Sequence, residues 1–188
     1  MVVGFGNPGV EYAETRHNVG TKVADELVRR HGGRLRRAKR EQALTDELVV
    51  DGRRLAVVVP VTFYNEAGRA VAPLARRFGI EDLARLVVVH DELDLPVGRI
   101  KVKMGGGLAG NNGLKSLRNH LRSADFVRIR IGIGKPPPDK KKGRDNVLRR
   151  PARAERPGIE RTIGEAADAV EYLLDHDLAA TMNRFNAG

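Results

Sequence analysis

Hydrophobic and polar positions follow two different periods along this chain. Apolar residues recur every three to four positions over 19–30, a spacing that predicts an amphipathic helix. Residues 86–89 are wholly apolar and 97–104 alternate between basic and apolar side chains, which predicts strands. The predicted strands are 2–6, 44–50, 55–60, 86–89, 97–104 and 126–133; the predicted helices are 19–30, 65–78, 114–121, 158–174 and 178–185.

Turn signals separate these segments and indicate the fold class. Asp51-Gly52 lies between two strand-like runs and predicts a hairpin. Asn65 is placed to cap the following helix, in which Pro73 is expected to cause a kink or an early end. Strands that alternate with helices predict a single α/β domain over residues 1–188, with a mixed, twisted β-sheet covered by helices on both faces.

Composition narrows the class of protein. A length of 188 residues suits one domain with a real core. The chain has no cysteine, which excludes disulfides and a thiol nucleophile. It has no apolar run long enough to span a membrane and no signal peptide pattern, so we expect a cytoplasmic protein.

The positive charge is concentrated in two segments. The chain carries a formal net charge of +10. Residues 29–40 contain seven Arg or Lys and no acid, and residues 135–158 contain nine bases and three acids. Proline and charge predict a flexible loop over 135–158. Two such segments favour an anionic partner, of which nucleic acid is the commonest.

A glycine motif near the start has two interpretations. Gly4, Gly6 and Gly9 spell G-x-G-x-x-G, the fingerprint of dinucleotide sites. Such a site needs a helix directly after the turn and an acid about twenty residues further on. Pro8 and Gly9 stand where that helix would begin, so a sharp turn at the end of a strand is favoured. A nucleotide-dependent oxidoreductase is the weaker alternative.

Polar side chains that could carry chemistry cluster at the predicted strand ends. They are Asn7, His17, Asn65, Asp91, Asn111 and Asn112. Ligands of α/β sheets bind at the carboxyl ends of strands, so these side chains are expected to converge. Without cysteine, and without a G-x-S-x-G serine, water is the expected nucleophile. His17 held by Asp91 can activate that water, and asparagine amides can stabilise an oxyanion.

A metal site is the alternative reading of one acidic segment. Asp91, Glu92 and Asp94 could bind Mg²⁺. Neighbouring strand positions point to opposite faces, however, and no second acidic cluster is evident. We therefore expect neither a metal nor another cofactor.

Four segments together resemble the bacterial peptidyl-tRNA hydrolases in order and spacing. They read GFGNPGVEYAETRHNVG, PVTFYNEAGRAV, VVVHDELDLPVGRIKVKMGGGLAGNNGLKSL and FVRIRIGIGKP, and the resemblance is close from residue 2 to about residue 136. It implies an esterase that cleaves the bond between a peptide and the 3′-terminal ribose of tRNA, and so recycles peptidyl-tRNA that has dropped from ribosomes. It further implies a monomer whose partner is peptidyl-tRNA.

The resemblance also implies a role for each site residue. His17 would be the general base, Asp91 its orienting partner, and Asn112 the group that positions the water or the oxyanion. Two further groups of residues would hold the substrate. The peptide side would be bound by Asn7, Tyr12, Tyr64 and Asn65, and the tRNA phosphates by Lys101, Lys103 and Arg130.

The chain departs from the family pattern in and near the site. Leu108 and Asn111 stand where histidines are usual, and Tyr64 stands where methionine is common, a change expected to narrow the peptide cleft. A rival function from another class is an RNA-binding module without catalysis. Binding alone would not need His17 beside Asp91, which is the feature that separates the two hypotheses.

Overall fold

The computed structural model describes residues 1–135 and 146–187, which build one seven-stranded sheet. Its strand order is β2-β3-β4-β1-β5-β7-β6. The strands are β1 (Val2–Gly4), β2 (Arg36–Ala38), β3 (Ala43–Val50), β4 (Arg53–Pro60), β5 (Val87–Glu92), β6 (Ile100–Met104) and β7 (Val127–Gly132).

The sheet is mixed, with a parallel centre and antiparallel edges. Strands β4, β1, β5 and β7 run parallel to their neighbours in that order. The hairpin β3–β4 and the β2–β3 and β6–β7 pairs are antiparallel. The carboxyl ends of β4, β1 and β5 therefore lie side by side at one edge of the sheet, where ligands of α/β proteins bind.

Helices cover both faces of the sheet, which confirms the predicted fold class. The helices of the described residues are α1 (Val19–Arg30), α2 (Ala67–Arg77), α3 (Asn112–Leu121), α4 (Arg156–Asp175) and α5 (Leu178–Asn186). One core packs α1 and α4 on the face that carries Val57 and Val89. The other packs α2 and α3 on the face that carries Val58 and Val88. The alternation of side chains along each strand separates the two cores.

Local signals located the central elements well. The prediction for α1 is confirmed at both ends, and the hairpin turns at Asp51-Gly52, where both residues have positive φ, as its tight turn requires. Strand β5 continues to Glu92 instead of ending at residue 89, because residues 90–92 pair with β7. Strand β2 was missed, since its exposed basic side chains carry no apolar pattern.

The predicted cap of α2 is wrong, and so is the early end expected at Pro73. Asn65 does not cap this helix: it lies in a 3-10 turn, Tyr64–Glu66, and α2 begins at Ala67 with no side-chain cap. Pro73 lies inside α2, which continues to Arg77. Burial of Val71 and Leu74 against the sheet compensates for the backbone hydrogen bond that proline cannot make.

The proline-rich basic segment is described in part. Residues 136–145 of the predicted flexible loop, 135–158, lie outside the described residues. The end of that segment is helical, because α4 begins at Arg156 and not at the predicted residue 158. In the described ranges, no helix is both long and apolar enough to cross a membrane.

Candidate active site

The N-terminal glycines let β1 and α1 approach each other closely. A Cβ on Gly4 would lie 2.3 Å from the carbonyl oxygen of Gly20, and one on Gly20 would lie 2.3 Å from the carbonyl oxygen of Val89. The connection from β1 to α1 contains a 3-10 turn, Arg16–Asn18, instead of a tight phosphate-binding turn. Gly4 and Gly20 therefore serve close packing, a role that the sequence analysis did not assign, and the packing brings residues 16–18 beside β5.

Asn18 and Arg16 hold this 3-10 turn on its two sides. The Asn18 side chain accepts a hydrogen bond from the Asn7 amide and donates one to the Asn7 carbonyl, both at 2.9 Å. The Arg16 guanidinium pairs with Glu155 and donates to the carbonyl of Arg150 at 3.0 Å. Residue 17 is consequently fixed from both directions.

His17 contacts Asp91 in a sheltered position. The distance from His17 Nδ1 to Asp91 Oδ2 is 2.9 Å, and the exposed fractions of the side chains are 17% and 5%. Asp91 lies near the carboxyl end of β5, the central parallel strand beside β1. A carboxylate can only accept, so Nδ1 carries the proton in the neutral imidazole and Nε2 is the basic nitrogen.

Tyr64 is buried against both members of this pair. Its hydroxyl donates to Asp91 Oδ1 at 2.7 Å, and its ring stacks on the His17 imidazole with centroids 3.6 Å apart. Phe5 supports the other side of the phenol ring in an edge-to-face contact at 5.3 Å. Burial, followed by the charge of Asp91, raises the pKa of Tyr64 well above its ordinary value, so the phenol stays protonated.

Asn7 connects the end of β1 to the segment after β4. Its Oδ1 accepts a hydrogen bond from the Tyr64 backbone amide at 2.9 Å. That contact assigns the amide orientation of Asn7 and leaves its Nδ2 as the donor available to a ligand. Asn65, the next residue after Tyr64, is exposed and lines the same cleft.

The glycine-rich loop brings Asn111 and Asn112 to the opposite wall. Asn111 caps α3, because its Oδ1 accepts from the Leu114 amide at 3.0 Å, while its Nδ2 donates to the Tyr64 hydroxyl at 3.1 Å. Asn112 is the first residue of α3. The buried guanidinium of Arg128 anchors this loop, because it donates to the carbonyls of Gly107 and Gly106 at 2.7 and 3.0 Å.

These groups surround a cleft of about 420 Å³. Most of the predicted site residues line it together, whereas Tyr12 does not: it lies in the turn after Gly9. Sequence reasoning missed several lining residues, since an apolar or acidic side chain in a connection carries no distinctive signal. The lining residues are Asn7, His17, Phe63, Tyr64, Asn65, Asp91, Glu92, Leu93, Ala109, Gly110, Asn111, Asn112, Val147 and Leu148.

A basic surface lies on β6 and β7, toward one edge of the sheet. Lys101 is directly opposite Arg130, and Lys103 is directly opposite Arg128, so all four side chains share one face. Lys101 is exposed, whereas Arg130 is paired with Glu92 at 2.9 Å. Partial burial, with the nearby positive charge of Arg130, lowers the pKa of Lys103. The three predicted phosphate-binding residues, Lys101, Lys103 and Arg130, are therefore neighbours.

The basic segment 29–40 is divided by the fold. Arg30 pairs with Glu26, Asp168 and Glu171, and so contributes to a clamp between α1 and α4. Arg36, Arg37 and Lys39 are exposed on or beside the edge strand β2. Only part of this segment is thus a free positive surface.

No group of three or more His, Asp or Glu side chains suited to a metal ion occurs in the part of the chain that the structure describes. Asp91 is occupied by His17 and Tyr64, and Glu92 by Arg130. The cleft offers amide donors, which suit a neutral carbonyl or an oxyanion, and one basic imidazole nitrogen, which can accept a proton.

Comparison with known proteins gives one consistent result. A family model described as peptidyl-tRNA hydrolase matches residues 1–188. The chain is 50% identical over 188 residues to the peptidyl-tRNA hydrolase of Rubrobacter xylanophilus, covering 98% of this chain and 99% of that protein. It is 45% identical over 186 residues to the enzyme of Nocardia farcinica, covering 99% and 95%. Crystallographic peptidyl-tRNA hydrolase from Acinetobacter baumannii superposes with a TM-score of 0.93 at 33% identity, covering 99% and 93%.

Proposed function

Because this chain belongs to the peptidyl-tRNA hydrolase family, we propose that it hydrolyses the ester between a peptide and the 3′-terminal ribose of tRNA with a water molecule activated by His17. The observation that carries the proposal is the His17–Asp91 hydrogen bond of 2.9 Å at the wall of an amide-lined cleft. This pair supplies a base where the chain offers no thiol and no suitably placed serine.

The first step is attack by water on the ester carbonyl. Nε2 of His17 takes one proton from the water as the oxygen bonds to the carbonyl carbon. The imidazole becomes an imidazolium, which the negative charge of Asp91 stabilises through the Nδ1 hydrogen bond. When the tetrahedral intermediate collapses, the same Nε2–H gives its proton to the departing ribose oxygen, so the peptide acid and free tRNA result.

The asparagines of the cleft supply neutral hydrogen-bond donors. Asn112 at the start of α3 stabilises the oxyanion or holds the water, and the helix N-terminus adds a favourable partial charge. Asn7 and Asn65 bind the peptide, and the Nδ2 of Asn7 is free for this because its Oδ1 is used by Tyr64. Amides do not compete with the imidazole for protons, which suits them to this task.

The tRNA is assigned to the basic surface of β6 and β7. Lys101, Lys103 and Arg130 share one face of the sheet on the side of β5 away from β4. Positive side chains at this position would bind backbone phosphates, which is how folded RNA is mostly recognised. The Arg130–Glu92 pair connects that surface to the cleft, because Glu92 lines it.

The cellular role follows from the substrate. Hydrolysis of peptidyl-tRNA that has left the ribosome returns tRNA to translation, which places the reaction in the cytoplasm. We propose the monomer as the active unit, which is the state that the resemblance implied. The residues of the cleft provide the complete reaction without a metal or another cofactor.

The experiment is release of N-acetyl amino acid from charged tRNA, with unblocked aminoacyl-tRNA as the control substrate. Wild type is expected to cleave the acetylated ester, and His17→Ala to be slower by about 10²- to 10⁴-fold, the usual share of a general base. The tRNA affinity of the variant, measured in parallel, should stay near that of wild type.

Two results would overturn the proposal. Nearly full activity of His17→Ala would exclude His17 as the base. Binding of tRNA by wild type without cleavage would instead support the RNA-binding module.

A further inference from the structure

A continuous series of hydrogen bonds runs from the N-terminus of α3 to His17. The Leu114 amide donates to Asn111 Oδ1 at 3.0 Å, and Asn111 Nδ2 donates to the Tyr64 hydroxyl at 3.1 Å. That hydroxyl donates to Asp91 Oδ1 at 2.7 Å, and Asp91 Oδ2 faces His17 Nδ1 at 2.9 Å. The series joins α3 and its cap to the 3-10 turn after β4, to β5 and to the 3-10 turn before α1.

The direction of each bond in this series follows from its two fixed members, the Leu114 amide at one end and the Asp91 carboxylate near the other. A backbone N–H can only donate, so it selects the oxygen of the Asn111 amide and turns the NH₂ group toward Tyr64. The phenol oxygen accepts that hydrogen, and its own single proton is then directed to the carboxylate. Asp91 can only accept, so its second oxygen requires a proton on Nδ1 of His17.

We propose that Asn111 and Tyr64 are positioning residues, which fix the orientation of Asp91 and thereby hold His17 in the tautomer with its free nitrogen, Nε2, toward the cleft. The inference rests on the proposed function for naming His17 as the base. It gives Tyr64 a second task besides the contact with the peptide that the resemblance implied. It also gives Asn111 a task that needs an amide and no titratable group.

The burial of these groups supports the positioning role. Tyr64 is 5% exposed and the Asp91 side chain is also 5% exposed, so water does not replace a lost partner easily. Both oxygens of Asp91 are occupied, which prevents the carboxylate from rotating about its bond to Cβ. The phenol ring lies nearly parallel to the imidazole, at an interplanar angle of 12°, and so restricts the His17 ring plane.

Among residues 1–135 and 146–187, three charged or titratable groups near the imidazole bear on its pH dependence. Asp91 faces it from β5 and Tyr64 from the 3-10 turn after β4. Glu92 lines the same cleft and is bound by Arg130. A change in the pH dependence after substitution of Tyr64 or Asn111 would therefore be traced to Asp91.

The direct test is the tautomer of His17, read by long-range ¹H–¹⁵N NMR of protein labelled in its five histidines. The His17 signals are assigned by their loss in His17→Gln. We expect wild type to have Nδ1 protonated and Nε2 free in the neutral ring. Tyr64→Phe and Asn111→Asp should each add a detectable population of the other tautomer.

This reading needs no substrate, so it separates the two proposals. A protonated Nε2 in wild type overturns the positioning inference even if the enzyme is active. The expected tautomer in a protein that does not cleave the ester would overturn the proposed function alone.

The kinetic test uses the same two substitutions. Tyr64→Phe keeps the ring stack and removes the donor to Asp91. Asn111→Asp keeps an oxygen for the Leu114 amide, but its second oxygen accepts and so draws the phenol proton away from Asp91. We expect each to lower kcat roughly tenfold, the equivalent of one hydrogen bond to a charged group, with KM changed less than about twofold.

The acid limb of the pH–rate profile should move to higher pH in both variants. A carboxylate that has lost a donor keeps more charge for the imidazolium, which then releases its proton less readily. The double variant should be no slower than Tyr64→Phe alone, because the effect of Asn111 passes through the phenol. A full additional tenfold loss in the double variant would overturn the positioning role of Asn111, because Asn111→Asp would then act through its charge and not through the phenol.

A matched control is available at another helix N-terminus. Asp177 caps α5 by accepting from the Ala180 amide at 2.7 Å, and Asp177→Asn makes the opposite exchange of the same two residue types. Its tautomer signal and pH profile should match those of wild type. Wild-type kcat, pH profile and tautomer in both Tyr64→Phe and Asn111→Asp would refute the positioning role.

Discussion

His17 and His31 each form a 2.9 Å hydrogen bond to a carboxylate, at opposite ends of α1. His17 precedes the helix and contacts Asp91, whereas His31 follows it and contacts Glu171 of α4. The two pairs are equal in length, and each joins a histidine to a carboxylate. Their surroundings differ in every respect that matters for chemistry.

The carboxylates have different partners. Asp91 is 5% exposed in its side chain and receives the Tyr64 hydroxyl, a neutral donor, so its negative charge stays available to His17. Glu171 is 26% exposed and is also bound by Arg30 at 3.1 Å, so its charge is already balanced by a guanidinium. Only Asp91 can stabilise an imidazolium that forms during a reaction.

The free nitrogens also face different places. His17 uses Nδ1 for its carboxylate and presents Nε2 to the cleft, whereas His31 uses Nε2 and lies in the ion-pair clamp between α1 and α4. A His–carboxylate pair therefore indicates a base only where the carboxylate lacks a cation and the second nitrogen meets a cavity.

The largest effect should come from exchanging Asp91 for asparagine. An amide offers one acceptor, so Asp91→Asn can receive a proton from His17 or from Tyr64, and not from both. We expect kcat to fall by about 10²- to 10⁴-fold, because the imidazolium loses its counter-charge and the wrong tautomer is favoured. The rate of ester cleavage over pH 5 to 9 measures this loss, and Glu171→Gln is the matched control. If Asp91→Asn kept a kcat within twofold of wild type, the distinction between the two pairs would be wrong.

The second pair should be dispensable for catalysis. His31→Gln keeps a donor for Glu171 and leaves Arg30 in place, so we expect kcat and KM to stay within about twofold of wild type. The free energy of unfolding should fall by less than about 1 kcal/mol, the range of partly exposed ion pairs. Urea unfolding measures the stability, and the cleavage assay measures kcat and KM. A loss of activity comparable to that of His17→Ala would mean that the clamp between α1 and α4 is needed for catalysis.

The smallest expected effect concerns Glu26 in the same clamp, and it is a change in how the free energy of unfolding depends on pH. Hydrogen bonds from Arg29 and Arg30 lower the pKa of Glu26 to about 2 from 4.5. Its stabilising contribution is therefore complete above pH 4.5 and is lost as the pH falls toward 2. Glu26→Gln should lower the free energy of unfolding by about 1 kcal/mol or less at pH 7, and the difference from wild type should shrink in acid.

The neighbouring Asp25 should change the free energy of unfolding with pH in the opposite direction. Partial desolvation raises its pKa above 3.8 although the side chain is exposed, so ionisation of Asp25 opposes folding weakly as the pH rises. Asp25→Asn should therefore gain stability relative to wild type at pH 7 and not in acid. If the free energy of unfolding of Glu26→Gln and Asp25→Asn changed with pH in the same direction relative to wild type, the stabilising role given to Glu26 in the clamp would be wrong.

Local sequence patterns were sufficient where one face of an element is apolar or a turn demands special backbone angles. The helix α1 and the Asp51-Gly52 hairpin belong to this group. The patterns failed where the decisive interaction is with a distant segment. β2 forms because β3 offers backbone partners, and Pro73 is tolerated because its helix is buried against the sheet.

The candidate site follows the same division. The residues alone showed a histidine, an acid and several amides near predicted strand ends and no thiol, and their convergence was an expectation. Only the tertiary structure decided which histidine meets an unneutralised carboxylate, that Tyr12 stays outside the cleft, and that Asn111 reaches Asp91 through Tyr64. A strand end or helix start is coded by neighbours in the chain. The direction of a hydrogen bond depends instead on partners that the sheet order brings together, here residues 27 and 47 positions apart.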